Sequence, residues 1–446
     1  MKSALTVALI TALTGASAPA IAADHIVRDF SAAADGEAVA VVRAGCERCD
    51  WGAEGRESVA LTVSLDGKYS QHIQLVRGEA PAEYRIMLGP VAKGGHRLAI
   101  DRDPALSAAG AGPAAIEVPD VALVSASQGA DFTALSMAPI VYARPNTVGK
   151  FTDLPLVMWY EVVSTPRGRQ FRYSVIFSNE DGGTQTDRLM ATWGRTTDIE
   201  FIYGVELDAA GKILAEEFQG PGHEVPAFTG QHEARHPLVW VSTDNNMVSE
   251  SGPTRIRYRL VPKLFDLTND SREAVMDASP WTYAIAAVEM RREGKVAADP
   301  PPGLNKIADP RRFVFVEACG AVANAAVALG IGTVRRVGGQ PDQSLTWTSS
   351  DRGRAEYRIV RDGCFTIATP LPEGTQPADI RAIRVYAYDR PPARGGGPAA
   401  PGFVNLTRIN KVFMLDQHDE PGKMLLHWEG SAPVPVGGAP FEVPIR

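Results

Sequence analysis

Histidine, cysteine and positive charge are all scarce in this chain, and each scarcity narrows what it can do. Its 446 residues include eight histidines and four cysteines, and 45 lysines and arginines stand against 52 aspartates and glutamates, a formal charge of −7. A nucleic-acid binder normally carries a basic face, and this composition argues against one. Cys46 and Cys49 have no second pair of ligands nearby, which argues against a zinc knuckle. A G-x-S-x-G serine elbow, a phosphate-binding P-loop and a dinucleotide fingerprint are all missing. Long apolar runs are missing too. Residues 4–13 fall short of the ~20 that a membrane helix needs, and residues 313–334 contain Glu317 and Asn324 among mostly small residues.

What is present begins with an export signal. Lys2, the short apolar stretch 4–13 and Ala20-Ile21-Ala22 have the form of a secretory leader cleaved before Ala23 or Asp24. The mature chain is therefore expected in the periplasm or outside the cell, with no membrane span left after cleavage. Cysteines pair in such compartments. Cys46 with Cys49 is expected to close a small structural loop, since no βαβ pattern surrounds the C-x-x-C for redox chemistry. Cys319 is then expected to pair with Cys364.

A chain of this length exceeds what one core usually serves, and 33 prolines and 42 glycines imply many turns and hence strands. The expected fold is mainly β, a multi-domain β-sandwich architecture with one short helical segment after the central domain. Residues 24–128 read as an N-terminal sandwich: Val59, Leu61, Val63 and Leu65 alternate with polar residues, and Asp66-Gly67 turns the chain back. Residues 129–265 read as a central β-rich domain, in which Ile199, Phe201, Tyr203, Val205 and Leu207 are expected to share an inward face. Residues 271–293 read as a helix broken at Pro280, with a stiff Pro-rich linker at 298–303. Residues 304–446 return to strands, with a Pro/Gly-rich surface loop at 391–402.

The chemistry concentrates between residues 173 and 246. His232-Glu233-Ala234-Arg235-His236 fits the zinc-peptidase pattern H-E-x-x-H, in which two histidines on one helical face hold zinc and the glutamate is the base. Glu250 or Glu273 would be the third ligand. Gly230 before the motif and Pro237 after it oppose a helix, since proline pushes the residue before it into an extended conformation. In a strand the two histidines would stand roughly 13 Å apart, so a polar loop is the favoured reading and a zinc metallopeptidase an alternative. Asp198 and Glu200 are the favoured pair. With Ile199 and Phe201 facing inward, both carboxylates would leave the other face about 7 Å apart, suited to sharing Ca²⁺ or Mg²⁺ or to acid–base work. His223 and His236 are further candidate ligands or proton carriers. Asp244, Asn245 and Asn246, with Trp240 before them, follow a buried strand and carry the amide, carboxylate and aromatic groups that line many sugar sites. Residues 179–184 read chiefly as a turn.

Thr197-Asp198-Ile199-Glu200, followed by His236-Pro237-Leu238-Val239-Trp240-Val241, resembles a pattern shared by the secreted necrosis-and-ethylene-inducing-like proteins and the vacuolar-sorting-protein-62-like family. Both place Asp-Trp-Glu on one strand and His-Pro on a later one within a β-sandwich. Ile199 stands where those families have an aromatic residue, and Arg195-Thr196-Thr197 supplies none of the histidines that precede the motif there. The resemblance covers about a third of the chain and implies a sandwich, with a divalent-cation role for Asp198 and Glu200. The expected function is binding or hydrolysis of a polyhydroxylated small molecule or polysaccharide, with a non-catalytic envelope or adhesion protein as the other class.

Overall fold

Short alternating strands bury one face each, and here they do so in three successive pairs of sheets. The computed structural model describes residues 24–445 except Asn146, Val148, Gly338, Gly339 and residues 391–400, with only the backbone of 335–337 and 340–343. The proposed leader and most of the Pro/Gly-rich loop thus lie outside the described residues. The chain is mainly β, 48% strand and 11% helix.

The first module contains β1 (His25–Ala32), β2 (Gly36–Cys46), β3 (Ala60–Leu65), β4 (Lys68–Gln74), β5 (Ala82–Val91), β6 (Gly94–Asp103) and β7 (Ala114–Val124). Sheets ordered β1-β6-β3-β4 and β5-β2-β7 enclose a core that includes Val42, Leu61, Val63 and Ile100. Asp66 and Gly67 both take positive φ (50° and 75°) in the β3–β4 hairpin, the geometry that an Asp-Gly turn favours. Cys46 is bonded to Cys49.

The central region holds α1 (Ala130–Ser136), β8 (Ile140–Tyr142), β9 (Pro155–Thr165), β10 (Gly168–Phe177), α2 (Thr186–Trp193), β11 (Asp198–Leu207), β12 (Ile213–Glu217), β13 (His232–Glu233), β14 (His236–Val241), β15 (Val248–Ser249), β16 (Arg257–Tyr258) and β17 (Lys263–Leu264). One sheet runs β12-β11-β10-β9-β17; the other runs β13-β14-β8-β16, with β15 on β14. Tyr173, Val175, Phe177, Val205, Val239 and Val241 pack between them. The helical segment that follows is split as the proline dictates into α3 (Ala274–Asp277) and α4 (Trp281–Arg292), with Pro280 at the start of α4. Helices α1 and α2 are additions to the expected one, too short to carry a readable 3.6-residue period.

The last module comprises β18 (Phe313–Ala323), β19 (Ala325–Val337), β20 (Gln340–Ser349), β21 (Gly363–Pro370), β22 (Ile380–Asp389), β23 (Phe403–Met414), β24 (Trp428–Pro433) and β25 (Phe441–Pro444). Its sheets, β21-β18-β23-β24 and β20-β19-β22-β25, close over a third core. Residues 313–334 are thus consecutive strands, and no described helix is long and apolar enough to cross a membrane. Cys319 and Cys364 face each other across β18 and β21 and are bonded.

The modules are joined by packing. The second face of the β9–β11 sheet, with Trp159, Ile176 and Ile199, is buried beneath the helices and against Phe315 and Phe413 of the last module. Residues 257–260 tie in the first module: Arg259 N–H donates to Gln71 Oε1 (3.0 Å) and Met87 N–H to the Arg259 carbonyl (2.9 Å). The Pro-rich segment is anchored at its end, where Gly303 N–H donates to Asp187 Oδ2 (2.7 Å) and Tyr357 Oη (2.9 Å).

Candidate functional site

Strand β11 is buried along its whole length, and its register decides where the carboxylates point. Phe177 lies opposite Asp198 and Val175 opposite Glu200. Directly paired residues project to the same side, so both carboxylates face the space between the two central sheets. The ladder slips at Ile202, where Tyr173 pairs with Tyr203 but Ser174 with Phe201. Such a bulge exchanges the faces of all that follows. Ile202, Tyr203, Val205 and Leu207 therefore lie in the inter-sheet core, while Ile199 packs on the opposite side. This corrects the expectation of one shared face for Ile199 through Leu207. Asp198 and Glu200 do project together, as the period of two requires, but into the protein.

Two loops close over them. In the loop after β10, Glu180 Oε1 accepts from Thr184 N–H at 2.8 Å. In the loop after β14, Asn246 takes φ 53° and its Nδ2 donates both to Asp198 Oδ2 and to the Asn179 carbonyl, each at 3.1 Å. The loops touch: Gly182 N–H donates to the Asp244 carbonyl (3.2 Å), and a Cβ at Gly182 would stand 2.8 Å from that of Asp244. Gln219, just beyond β12, donates to Glu200 and approaches His223 Nδ1 at 3.5 Å. Behind Asp198, Arg195 lies 3.7 Å from Oδ1 while donating to Glu273 (3.0 Å), so its charge is shared.

Three buried carboxyls beside one shared arginine cannot all stay ionised cheaply. Burial, reinforced by the charge of Asp198, pushes Glu200 up to about 8 and Glu180 up to about 7. Burial raises Asp198 also, against the pull of Arg195 and the Asn246 amide. At neutral pH the cluster holds protons and so can donate as well as accept hydrogen bonds. Asn246 Oδ1 is buried beside it without a partner. Among the described residues, no three His, Cys, Asp or Glu side chains are gathered as a metal-ligand set.

The other sequence candidates disperse. His232-Glu233-Ala234-Arg235-His236 is a β-hairpin, not a helix: His232 pairs with Pro237 and Glu233 with His236, with Ala234 at φ 55° in the turn. Neighbours along a strand alternate faces, and the partners show it. His232 Nε2 meets Glu216 Oε1 (2.8 Å), whereas His236 is fully buried, with Nδ1 on the Ala138 carbonyl (2.9 Å) and Nε2 3.3 Å from Glu37. Glu233 is bound by Arg257 (2.5 Å) and Arg259. Glu250 accepts from Thr229, and Glu273 is held by Arg195. The alternative zinc centre is therefore not assembled, and His236 lies in the core, away from Asp198 and Glu200. His223 lies exposed at the rim through its Gln219 contact. Asn245 and the exposed Asp244 also stand at the rim, Thr243 Oγ1 lying 2.8 Å from Asn245 Oδ1 and Asp244 pairing with Arg144. Trp240 faces the other way, stacked on Tyr142 at 4.3 Å, because even-numbered residues of β14 alternate away from Val239 and Val241. Glu180, Arg195 and Gln219 were not legible as site residues. Glu180 reads as part of a turn, and nothing local ties Gln219 to Glu200. No protein-family model matches this chain, and no curated protein matches it.

Proposed function

We propose that the central domain binds or hydrolyses a polyhydroxylated, carbohydrate-like ligand at the Glu180/Asp198/Glu200 centre, in the periplasm or outside the cell. The observation that carries this reading is the gathering of three buried carboxyls, two of them raised to about 7 and about 8, under two loops that are rich in amide groups. A protonated carboxyl donates one hydrogen bond and accepts others, as does a sugar hydroxyl, and the amides of Gln219 and Asn245 extend the same pattern toward the rim. A carboxyl that keeps its proton near neutral pH also suits general-acid work. Export is supported by the leader-like N-terminus and by two disulfides. The loss of Trp240 from the site leaves hydroxyl recognition to hydrogen bonds and not to aromatic stacking.

A second reading has its own support. The unpartnered Asn246 Oδ1 is an acceptor beside three acids, and a hard cation such as Ca²⁺ or Mg²⁺ would replace the protons with oxygen ligation. Thermal melting at pH 7.5 with and without chelator, then with Ca²⁺ or Mg²⁺, separates the two. A metal-dependent rise abolished by Asp198→Asn supports the cation. A glycan array read beside it tests the ligand: binding lost in Glu200→Gln supports the carboxyl site. Silence on the array, no hydrolysis of any polysaccharide and no metal effect would leave a non-catalytic envelope protein.

A further inference from the structure

A cleft of about 290 Å³ lies between the first module and the central domain, away from the carboxyl centre. One wall is β4–β5 with Ile73 and Tyr84; the other is formed by Met158 of β9 and Val261 after β16; Trp281, opening α4, closes one end. The apolar wall is interrupted by cations. Arg77, Arg85 and Lys263 line the cleft, all exposed, and none has a carboxylate within ion-pair distance among the described residues. Arg77 instead lies over the Trp281 ring, 5.2 Å from its centre. The other charged residues of the lining do not balance them. His72 is turned to Asp103 (3.2 Å), Arg259 is held by Glu233, and Glu83 is the single acid, unpaired. Gln74, also in the lining, has a buried amide nitrogen with no partner.

Three uncompensated cations against one carboxylate give this cleft positive character in a chain whose formal charge is −7. Low-dielectric apolar walls strengthen that field. The dimensions sit at the small end of ligand pockets, roughly 300 Å³ upward. We propose that the cleft between the first two modules binds a small amphipathic anion. Its apolar body would lie along Tyr84, Met158 and Trp281, with its acidic group toward Arg77, Arg85 and Lys263. Such a ligand would bridge two modules that already share hydrogen bonds through residues 257–260.

Calorimetric titration of the full chain with octanoate, and in parallel with octan-1-ol, tests the assignment. Octanoate is expected to bind saturably at one site, at least tenfold more tightly than the neutral alcohol. The variant Arg77→Ala/Arg85→Ala/Lys263→Ala should weaken octanoate at least tenfold without changing the melting temperature, because all three side chains are exposed. Glu83→Gln should tighten it. The assignment is overturned if octanoate does not saturate at one site, if the alcohol binds as well, or if the triple variant keeps wild-type affinity.

Discussion

At the scale of single residues, Glu200 makes the sharpest claim. Its carboxyl is raised to about 8, first by burial and then by Asp198, from an ordinary value of 4.5. Between those two pH values the folded chain holds a proton that the unfolded chain has released, so folding is favoured by acid. The contribution is present below the unfolded value and is lost as pH rises through about 8. Each proton of difference is worth about 1.4 kcal/mol per pH unit. Glu200→Gln is neutral throughout. In chelator it should flatten the fall of melting temperature between pH 6 and 8.5, and at pH 8.5 it should be the more stable protein. A gain of ~1 kcal/mol there corresponds to roughly 1 °C for a chain of this length. Thermal melts across that range, wild type against variant, decide it; parallel slopes would show that Glu200 is ionised in the fold. Glu289, buried and raised to about 7 beside Trp51, titrates in the same direction, so only the difference between proteins is diagnostic. The pair Asp198/Glu200 was legible in the sequence because a period of two is local. Its third member was not, because Glu180 arrives through a tertiary loop contact.

At the scale of elements, alternation was read correctly as far as the ladder stayed in register. The bulge at Ile202 involves the partner strand and leaves no mark on the β11 sequence, so Tyr203, Val205 and Leu207 read as sharing the face of Ile199 and Phe201, from which the slip separates them. The H-E-x-x-H segment shows the converse: Gly230 and Pro237 denied it a helix, and it folds as a hairpin. Helix α2 was missed, yet its end is strongly determined. Gly194 terminates it in the left-handed region (φ 63°), and a Cβ there would stand 2.5 Å from Thr366 Cγ2 and 3.0 Å from the Ile367 carbonyl carbon on β21. Backbone strain and overpacking then act together. Gly194→Ala should lower unfolding stability by about 1–3 kcal/mol, measured by chemical denaturation. Gly211→Ala serves as the control: its φ is also positive (81°), but nothing lies within 4 Å of the added carbon. If the two variants lose equally, the docking of α2 on β21 contributes nothing.

At the scale of the whole molecule, composition and turn spacing announced three β-rich parts but could not say how they stack. The helices occupy the space between the central sheet and the last module, where Trp159, Tyr283, Phe315 and Phe413 meet. Those contacts join residues far apart in the chain, Tyr283 meeting both Phe315 and Phe413, and no short window of sequence contains them. The two disulfides constrain this assembly unequally. Cys319–Cys364 closes a separation of 45 residues, Cys46–Cys49 a separation of three. In the chain-entropy account, a link stabilises by restricting the unfolded state, and more so as the loop lengthens. The expected contributions are about 4 kcal/mol for the long loop and about 1.6 kcal/mol for the short one. Cys319→Ala/Cys364→Ala should therefore destabilise the protein more than Cys46→Ala/Cys49→Ala, by about 2 kcal/mol in urea denaturation. The long link also lies within the β18–β21 ladder that receives α2. Its loss should thus expose the helix layer as well as the third core, steepening proteolysis near residues 194 and 366 relative to the first module. Equal losses for the two pairs would mean that the unfolded chain is already confined in this region, and that the sheet, not the sulfur, holds the last module closed.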